Sequence, residues 1–405
     1  MNCRHFASTT GCKFGSRCRN LHTKPPQRRR TPRSDITVAR RKWVTIQETE
    51  LEPAKNDFKV LCWNILADSL VDAVAYPPSC IPHLLWETRS KSIMDNLERQ
   101  DADAILLQEV DQTNFENELT PHLNTIGYSG VYKKRSGLDK YDGCAIFLKS
   151  SCFEIGESVE IELQQEGNPL LDRSNIAICT VARHRLSNRM VLFCSTHLLF
   201  NPKRGDIKLA QVQHLGGRLN EIRSKYEDCD LVVAGDFNAT PNSAVYHLMR
   251  HNRLSNGTFL DRRNASGQTR VIRNMITDPS GFRCYYGGGH GSSGNSTGKF
   301  QQVEIESRKP PQQFALPKEL ESMSTQLETL QSAYSIDETS KHTGEPAITT
   351  FHNHFQGTVD YMFYSHGLTR TGFLATPEPA SFGQGIPSFE WPSDHISLVA
   401  KFIFK

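Results

Sequence analysis

A chain of 405 residues with 37% hydrophobic content is long enough for one large folded domain with extensions. No run of about eighteen apolar residues offers a membrane span, and the first residues lack the basic, apolar, small-residue order of a secretion signal, so a soluble, unexported protein is expected. Charge is uneven: residues 1–42 hold twelve Lys and Arg against one Asp, a net of +11, which leaves −8 on the remainder of a chain whose total is +3.

A basic arm on an acidic body suits a polyanionic partner, most simply nucleic acid; the plain alternative is a solvated tail with no dedicated partner. Three of the eleven cysteines fall in the first eighteen residues. The other eight, several inside apolar runs where a reduced thiol behaves as a small hydrophobe, fit a reducing compartment, cytosol or nucleus. Cys3, Cys12, Cys18 and His22 have the spacing C-x8-C-x5-C-x3-H. Three thiolates and an imidazole suit one structural Zn²⁺, and a segment this short cannot bury enough surface to fold without the metal. The fillers CRHF and CKFGSRC, with Arg4, Phe6, Lys13, Phe14, Gly15 and Arg19, resemble the CCCH zinc-finger family. That resemblance implies contact with single-stranded RNA, with Phe6 and Phe14 as stacking residues. The expected organisation is a finger at 1–23, a basic Pro/Arg-rich linker at 24–57 and a catalytic domain at 58–405. Arg28, Arg29 and Arg30 would add salt-sensitive phosphate affinity, and the run could serve as a nuclear import signal for a mainly cytoplasmic protein.

The body opens with FKVLCWNI, residues 58–65, a strand delivering Asn64. A helical period follows over 81–100, then the apolar run AILLQEV, 104–110, which carries Gln108 and Glu109. A buried carboxylate requires a partner, either an Arg or a metal. Residues 132–148 read as a basic turn, YKKRSGLDKYDG, leading into a strand, with further strands at 153–163, 175–182 and 189–197, the last ending in His197. After an amphipathic helix at 207–226 comes LVVAGDFN, 231–238, where Asp236 and Asn238 stand two apart at a strand end and face the same way. Hard oxygen ligands gathered there suit Mg²⁺ or phosphate. Residues 243–254 read as helix, the Gly/Ser-rich stretch around 285–317 as a disordered insertion, and 318–334 as a short helix. Asp360 lies within the strand TVDYMFYS, 358–365, and Asp394 and His395 open the final strand, 393–404.

In this order WNIL, LLQEV, STH, GDFN, VDY and SDH resemble the endonuclease/exonuclease/phosphatase superfamily from Phe58 to Lys405. DGCAIF at 142–147, LQSAY at 330–334 and VDYMFYS are similar to its carbon-catabolite-repressor, nocturnin and Angel branch; HLLFNPKRGDIKLAQ, 197–211, looks most like Angel proteins. The leucine-rich repeats of deadenylase-complex members are absent. The resemblance implies an α/β fold, a two-layer sandwich of mixed β-sheets flanked by helices (DNase I-like). It implies one or two Mg²⁺ ions held by Glu109 and Asp394, with Asn64 as a further candidate. Asp236 would orient or deprotonate water, Asn64 and Asn238 would hold phosphate oxygens, and His197 and His395 would donate to the developing charge, with Asp360 orienting His395. Phe355 and Pro202 match an adenine-sandwiching pair of poly(A)-specific members, with Arg204 close by. The reading is a Mg²⁺-dependent 3′–5′ exoribonuclease, deadenylase-like, acting on mRNA 3′ ends, with mRNA-decay or translation proteins as partners. The alternatives are an RNA 2′,3′-cyclic phosphatase, a catalytically inactive RNA-binding adaptor, and a phosphatase of small nucleotides or lipids.

Overall fold

The computed structural model describes residues 41–46, 56–76, 78–241, 243–254, 265–268, 323–335, 344–383 and 385–405. The expected zinc ligands Cys3, Cys12, Cys18 and His22, the stacking residues Phe6 and Phe14, most of the linker, and the insertion at 285–317 lie outside the described residues.

Two sheets stack face to face. From edge to edge the first runs β1 (Trp43–Thr45), β14 (Leu368–Leu374), β15 (Leu398–Phe404), β2 (Asp57–Asn64), β3 (Ala104–Asp111), β5 (Asp142–Lys149) and β4 (Tyr128–Lys134). The second runs β10 (Gln331–Ser332), β13 (Asp360–Tyr364), β9 (Asp230–Asp236), β8 (Met190–His197), β7 (Ile176–His184) and β6 (Phe153–Glu162). A separate hairpin pairs β11 (Thr350–His352) with β12 (Phe355–Gly357). Both large sheets are mixed, because β2 and β3 run parallel, as do β8 and β9, while their other neighbours are antiparallel.

The period-two alternation of the strands sorts side chains into layers. Val60, Cys62, Leu106, Phe193, Val232 and Ala234 meet between the sheets. Their chain neighbours Leu61, Trp63, Ile105 and Leu107 face outward onto α1 (Trp86–Gln100) through Ile93, Met94 and Leu97. Leu231 and Val233 likewise face α2 (Gly205–Arg223) and α3 (Ala244–His251). The expected two-layer sandwich of mixed sheets flanked by helices is the fold observed. Seven cysteines among the described residues form no disulfide, and six of them are buried, as small hydrophobes would be.

Two expectations are corrected. The linker does not run to residue 57: Trp43–Thr45 pairs with Leu374–Gly372, and the Arg41 guanidinium donates to the Ala375 carbonyl at 2.9 Å, so part of the presumed arm belongs to the body. Residues 323–335 hold no helix; this stretch bridges Arg253 through Ser324 and then adds Gln331–Ser332 to the sheet edge, so tertiary pairing overrides a weak helical period.

The topology also fixes where polar residues gather. The parallel pairs β2/β3 and β8/β9 end at one rim of the sandwich, and the antiparallel strands β13 and β15 begin at that same rim. A polar residue closing β2 therefore lies beside the start of β15, and one closing β9 beside the start of β13.

Candidate active site

In the second sheet, register places His197 opposite Asp236 and Asp236 opposite Asp360. Gly235 permits this closeness, since a Cβ there would overlap the Thr196 carbonyl of β8. Just beyond the strand Asn238 takes a left-handed conformation, φ 48°, and its backbone N–H donates to Asp236 Oδ1 at 2.8 Å, a local turn that Asn tolerates. In the first sheet Asn64 closes β2 and reaches two carboxylates with Nδ2: Glu109 Oε1 at 2.8 Å and Asp236 Oδ2 at 3.2 Å.

Glu109 reaches the rim through a β-bulge. The register with β5 slips between Gln108 and Val110, and Glu109 has φ 52°. In regular alternation its carboxylate would face the apolar layer under α1. The bulge gives that position to Val110 and releases Glu109 to the rim, where Ala67 N–H donates to its Oε2 at 3.3 Å.

Asp394 and His395 precede β15. The Tyr76 hydroxyl donates to Asp394 Oδ2 at 3.0 Å, while Oδ1 is buried with no hydrogen-bond partner. The Asp360 carboxylate accepts from His395 Nδ1 at 2.9 and 3.1 Å, which leaves Nε2 facing Asp236 Oδ2 at 3.8 Å. Burial opposes the charge on His395, but Asp360, Asp236 and Asp394 outweigh it and hold the ring well above its ordinary value, as imidazolium. Burial, with Arg135 and His395 nearby, lowers His197 to about 3, so that ring is neutral. Its Nε2 lies 3.1 Å from Asn238 Nδ2, which also donates to the Leu198 carbonyl at 3.1 Å; in this assignment the proton sits on Nδ1, a buried atom without a partner. Burial and Asp394 push Glu109 up to about 8, and burial and Asp360 push Asp236 up to about 7.

Excess buried negative charge with an orphaned carboxylate oxygen is what a bound cation relieves. Glu109, His197 and Asp236 offer ligand atoms within 4.8 Å of one another, and so do Asp236, Asp360 and His395. In the second group the hydrogen-bonded imidazolium already supplies the positive charge. Glu109, Asp236 and the free oxygen of Asp394 are the oxygens left for a metal.

These residues line a cavity of about 430 Å³. Phe355 lines it too, but Pro202 and Arg204 do not. Arg204 instead forms a two-point ion pair with Asp206, at 2.9 and 3.2 Å, at the start of α2, and the Pro202 carbonyl accepts from Ser266. Of the expected Phe355–Pro202 pair, only Phe355 stands in the wall of this cavity. Sequence reasoning missed Tyr76, Arg135, Phe200 and His352, all in its wall. Phe200 is 59% exposed at its mouth. Arg135 lies in the basic turn and Phe200 in the loop after His197, yet neither ends an apolar strand, the signal that found the others.

A DNase I-like sandwich with amides, carboxylates and imidazoles along one rim defines the class. Residues 61–395 match the Endonuclease/Exonuclease/phosphatase family, and the chain belongs to it. It is 32% identical over 390 residues to carbon catabolite repressor protein 4 homolog 3 of Arabidopsis thaliana, covering 94% of this chain and 82% of that protein. It is 27% identical over 395 residues to the CCR4-Not complex 3′-5′-exoribonuclease subunit Ccr4 of Yarrowia lipolytica, covering 86% of this chain and 48% of that longer protein. The crystal structure of ANGEL2, a 2′,3′-cyclic phosphatase, in complex with adenosine-2′,3′-vanadate, is similar with a TM-score of 0.70 at 30% identity, covering 90% of this chain and 99% of that one. No helix among the described residues is long and apolar enough to cross a membrane.

Proposed function

We propose that this protein is a Mg²⁺-dependent RNA phosphoesterase that works on single-stranded 3′ ends, as a 3′–5′ exoribonuclease preferring adenosine. The observation that carries the reading is the convergence of Glu109, Asp236 and Asp394, with one buried carboxylate oxygen unpartnered, beside an imidazolium and a neutral imidazole. The exoribonuclease named among the relatives supports it.

Phosphodiester hydrolysis needs an aligned water and donors for the charge that grows on the phosphoryl oxygens. Mg²⁺ held by Glu109 and Asp394 supplies Lewis-acid charge when bound. Asp236 lies between Asn64, Asn238 and His395, where it orients a water and takes its proton. The Asn238 amide stands in the cavity wall and Asn64 lies behind Glu109 and Asp236, where they hold His197 and the two carboxylates in place for the phosphate. His395 donates from Nε2 and His197 from Nδ1, two cavity donors set by the hydrogen bond at the other nitrogen of each ring. Asp360 acts through His395. Phe355 and Phe200 are the aromatic surfaces for the terminal base.

A second reading, a 2′,3′-cyclic phosphatase at RNA termini, is favoured by the similarity to ANGEL2 and by the position of Pro202 outside the cavity wall. One assay separates them: purified protein with Mg²⁺ and two RNAs of one sequence, ending in a 3′-hydroxyl A-tract or in a 2′,3′-cyclic phosphate. Shortening by single nucleotides supports the first; end conversion without shortening supports the second. For residues 1–42 the proposal is a Zn²⁺-bound finger and basic arm that hold the RNA, supported by the metal-ligand spacing and the charge. Cytoplasm is the proposed site of action.

A further inference from the structure

The basic turn YKKRSGLDKY remains outside the chemistry just described. It comprises the end of β4 and the connection, 135–141, to β5, and beside it lies a second, open groove of about 660 Å³ lined by Gln112, Tyr132, Lys133, Lys134, Arg135 and Leu138 among others. Arg135 lines both this groove and the active-site cavity, so the two adjoin at one side chain.

The charges in the groove are not equivalent. Lys133 is neutralised by Glu160 at 3.0 Å and Glu162 at 2.7 Å, and Arg135 pairs with Asp142 at 3.3 Å. Lys134 donates to the carbonyls of Lys140 at 2.7 Å and Gly137 at 3.4 Å, and among the described residues no carboxylate pairs with it. Its positive charge is thus held in place by neutral acceptors. Two large apolar side chains of the same turn stand in solvent, Leu138 fully and Tyr141 at 61%. Gln112, in the groove wall, donates its backbone N–H to the Tyr141 carbonyl, which ties that residue to the groove. A fixed, unneutralised cation beside exposed apolar and aromatic surface is the pairing that holds a single strand, phosphate to the charge and base to the flat face.

We propose that this groove is a second RNA subsite, which holds a phosphate and base upstream of the two terminal nucleotides, with Lys134 as its phosphate contact. The inference rests on the RNA phosphoesterase reading of the neighbouring cavity and extends it to substrate length: turnover rises once the RNA reaches from the cavity past Arg135.

The test measures kcat/KM with the full-length protein on oligoadenylates of two, four, eight and sixteen nucleotides carrying the 3′ end that the wild type processes. Lys134→Gln keeps a donor for the turn carbonyls and removes the charge; Lys134→Arg keeps both. The expected result is an unchanged rate on the dinucleotide, about tenfold loss on RNAs of four or more nucleotides in Lys134→Gln, and recovery in Lys134→Arg. The log–log dependence of KM on salt for the longer RNAs should flatten by about 0.7, the effect of one lost single-strand phosphate contact. A length dependence and salt slope equal to wild type in Lys134→Gln would overturn the proposal, as would an equal loss at every length, which marks a structural role. Failure of the underlying reading looks different: the wild type would then turn over no RNA of any length.

Discussion

Replacing Asp360 by Asn tests the acid–base logic of the rim at its most constrained contact. Both Asp360 oxygens lie within 3.1 Å of His395 Nδ1, and the pair is buried. A charge pair at that distance is worth about 6 kcal/mol with an effective dielectric near 20, enough to keep the buried ring protonated against desolvation. In Asp360→Asn that charge is lost, and an amide whose oxygen accepts from Nδ1–H keeps the ring as the neutral tautomer without a proton on Nε2. One donor to a developing oxyanion contributes about 3–4 kcal/mol, so kcat should fall by about 10³ while KM stays within a few-fold. The direction with pH follows from the raised value of His395: the variant ring loses its proton at lower pH, and the alkaline limb of the kcat profile moves down. Stability has its own signature. A raised folded-state value stabilises fully below the unfolded value of about 6.5 and less as pH rises through the folded one, so the Tm deficit of Asp360→Asn should be largest at acidic pH and shrink above neutrality. Single-turnover kinetics and thermal melts across pH check both; kcat within threefold of wild type would refute this account of His395.

Three further outcomes are expected. Lys208 is fully buried, bonded at 2.6 Å to both the Asn238 carbonyl and Gln268, and burial lowers it to about 7, below its unfolded value near 10.4. The unfolded chain then binds more protons between those values, so the Tm of wild type should rise relative to Lys208→Met as pH goes from 7 to 9; a constant difference would contradict the lowered value of the buried amine. Phe200→Ala should raise KM for RNA by about 5- to 100-fold, the range of one lost base stack, and leave turnover of a small aryl phosphodiester unchanged, as steady-state kinetics on the two substrates will show. Cys18→Ser should remove one equivalent of zinc from the full-length protein by elemental analysis and weaken RNA binding without changing the rate on a dinucleotide; zinc content equal to wild type would discard the proposed finger.

The rim residues were legible in the sequence for a physical reason. Asn64, His197, Asp236 and Asp360 each interrupt an apolar strand run at its end, and an unpaired polar group there is too costly to be idle. Their mutual distances depend on features with no local signal. The bulge that frees Glu109 is invisible in AILLQEV, where simple alternation would bury the carboxylate under α1. Strand β1 is three residues long and forms because β14 offers an edge, so its own sequence reads as linker. Over 323–334, the described part of the stretch expected to be helical, no helix forms because period alone could not weigh the pairing of Ser324 and of β10. Arg204 was read as a substrate contact, but Asp206, two residues on, takes both of its hydrogen bonds. Phe200 and Arg135 belong to loops, whose side-chain directions follow from what they pack beside.

The central claim is that Glu109 and Asp394, brought to one rim by β3 and β15, hold a divalent cation for attack on an RNA end. Its most direct test is Mg²⁺ titration calorimetry of the wild type, Glu109→Gln and Asp394→Asn, with each protein also run on the paired 3′-hydroxyl and cyclic-phosphate RNAs with and without EDTA. The account predicts Mg²⁺ binding and EDTA-sensitive processing of one RNA by the wild type, and loss of both in each variant with RNA binding kept. Wild-type Mg²⁺ affinity and turnover in Glu109→Gln would contradict it.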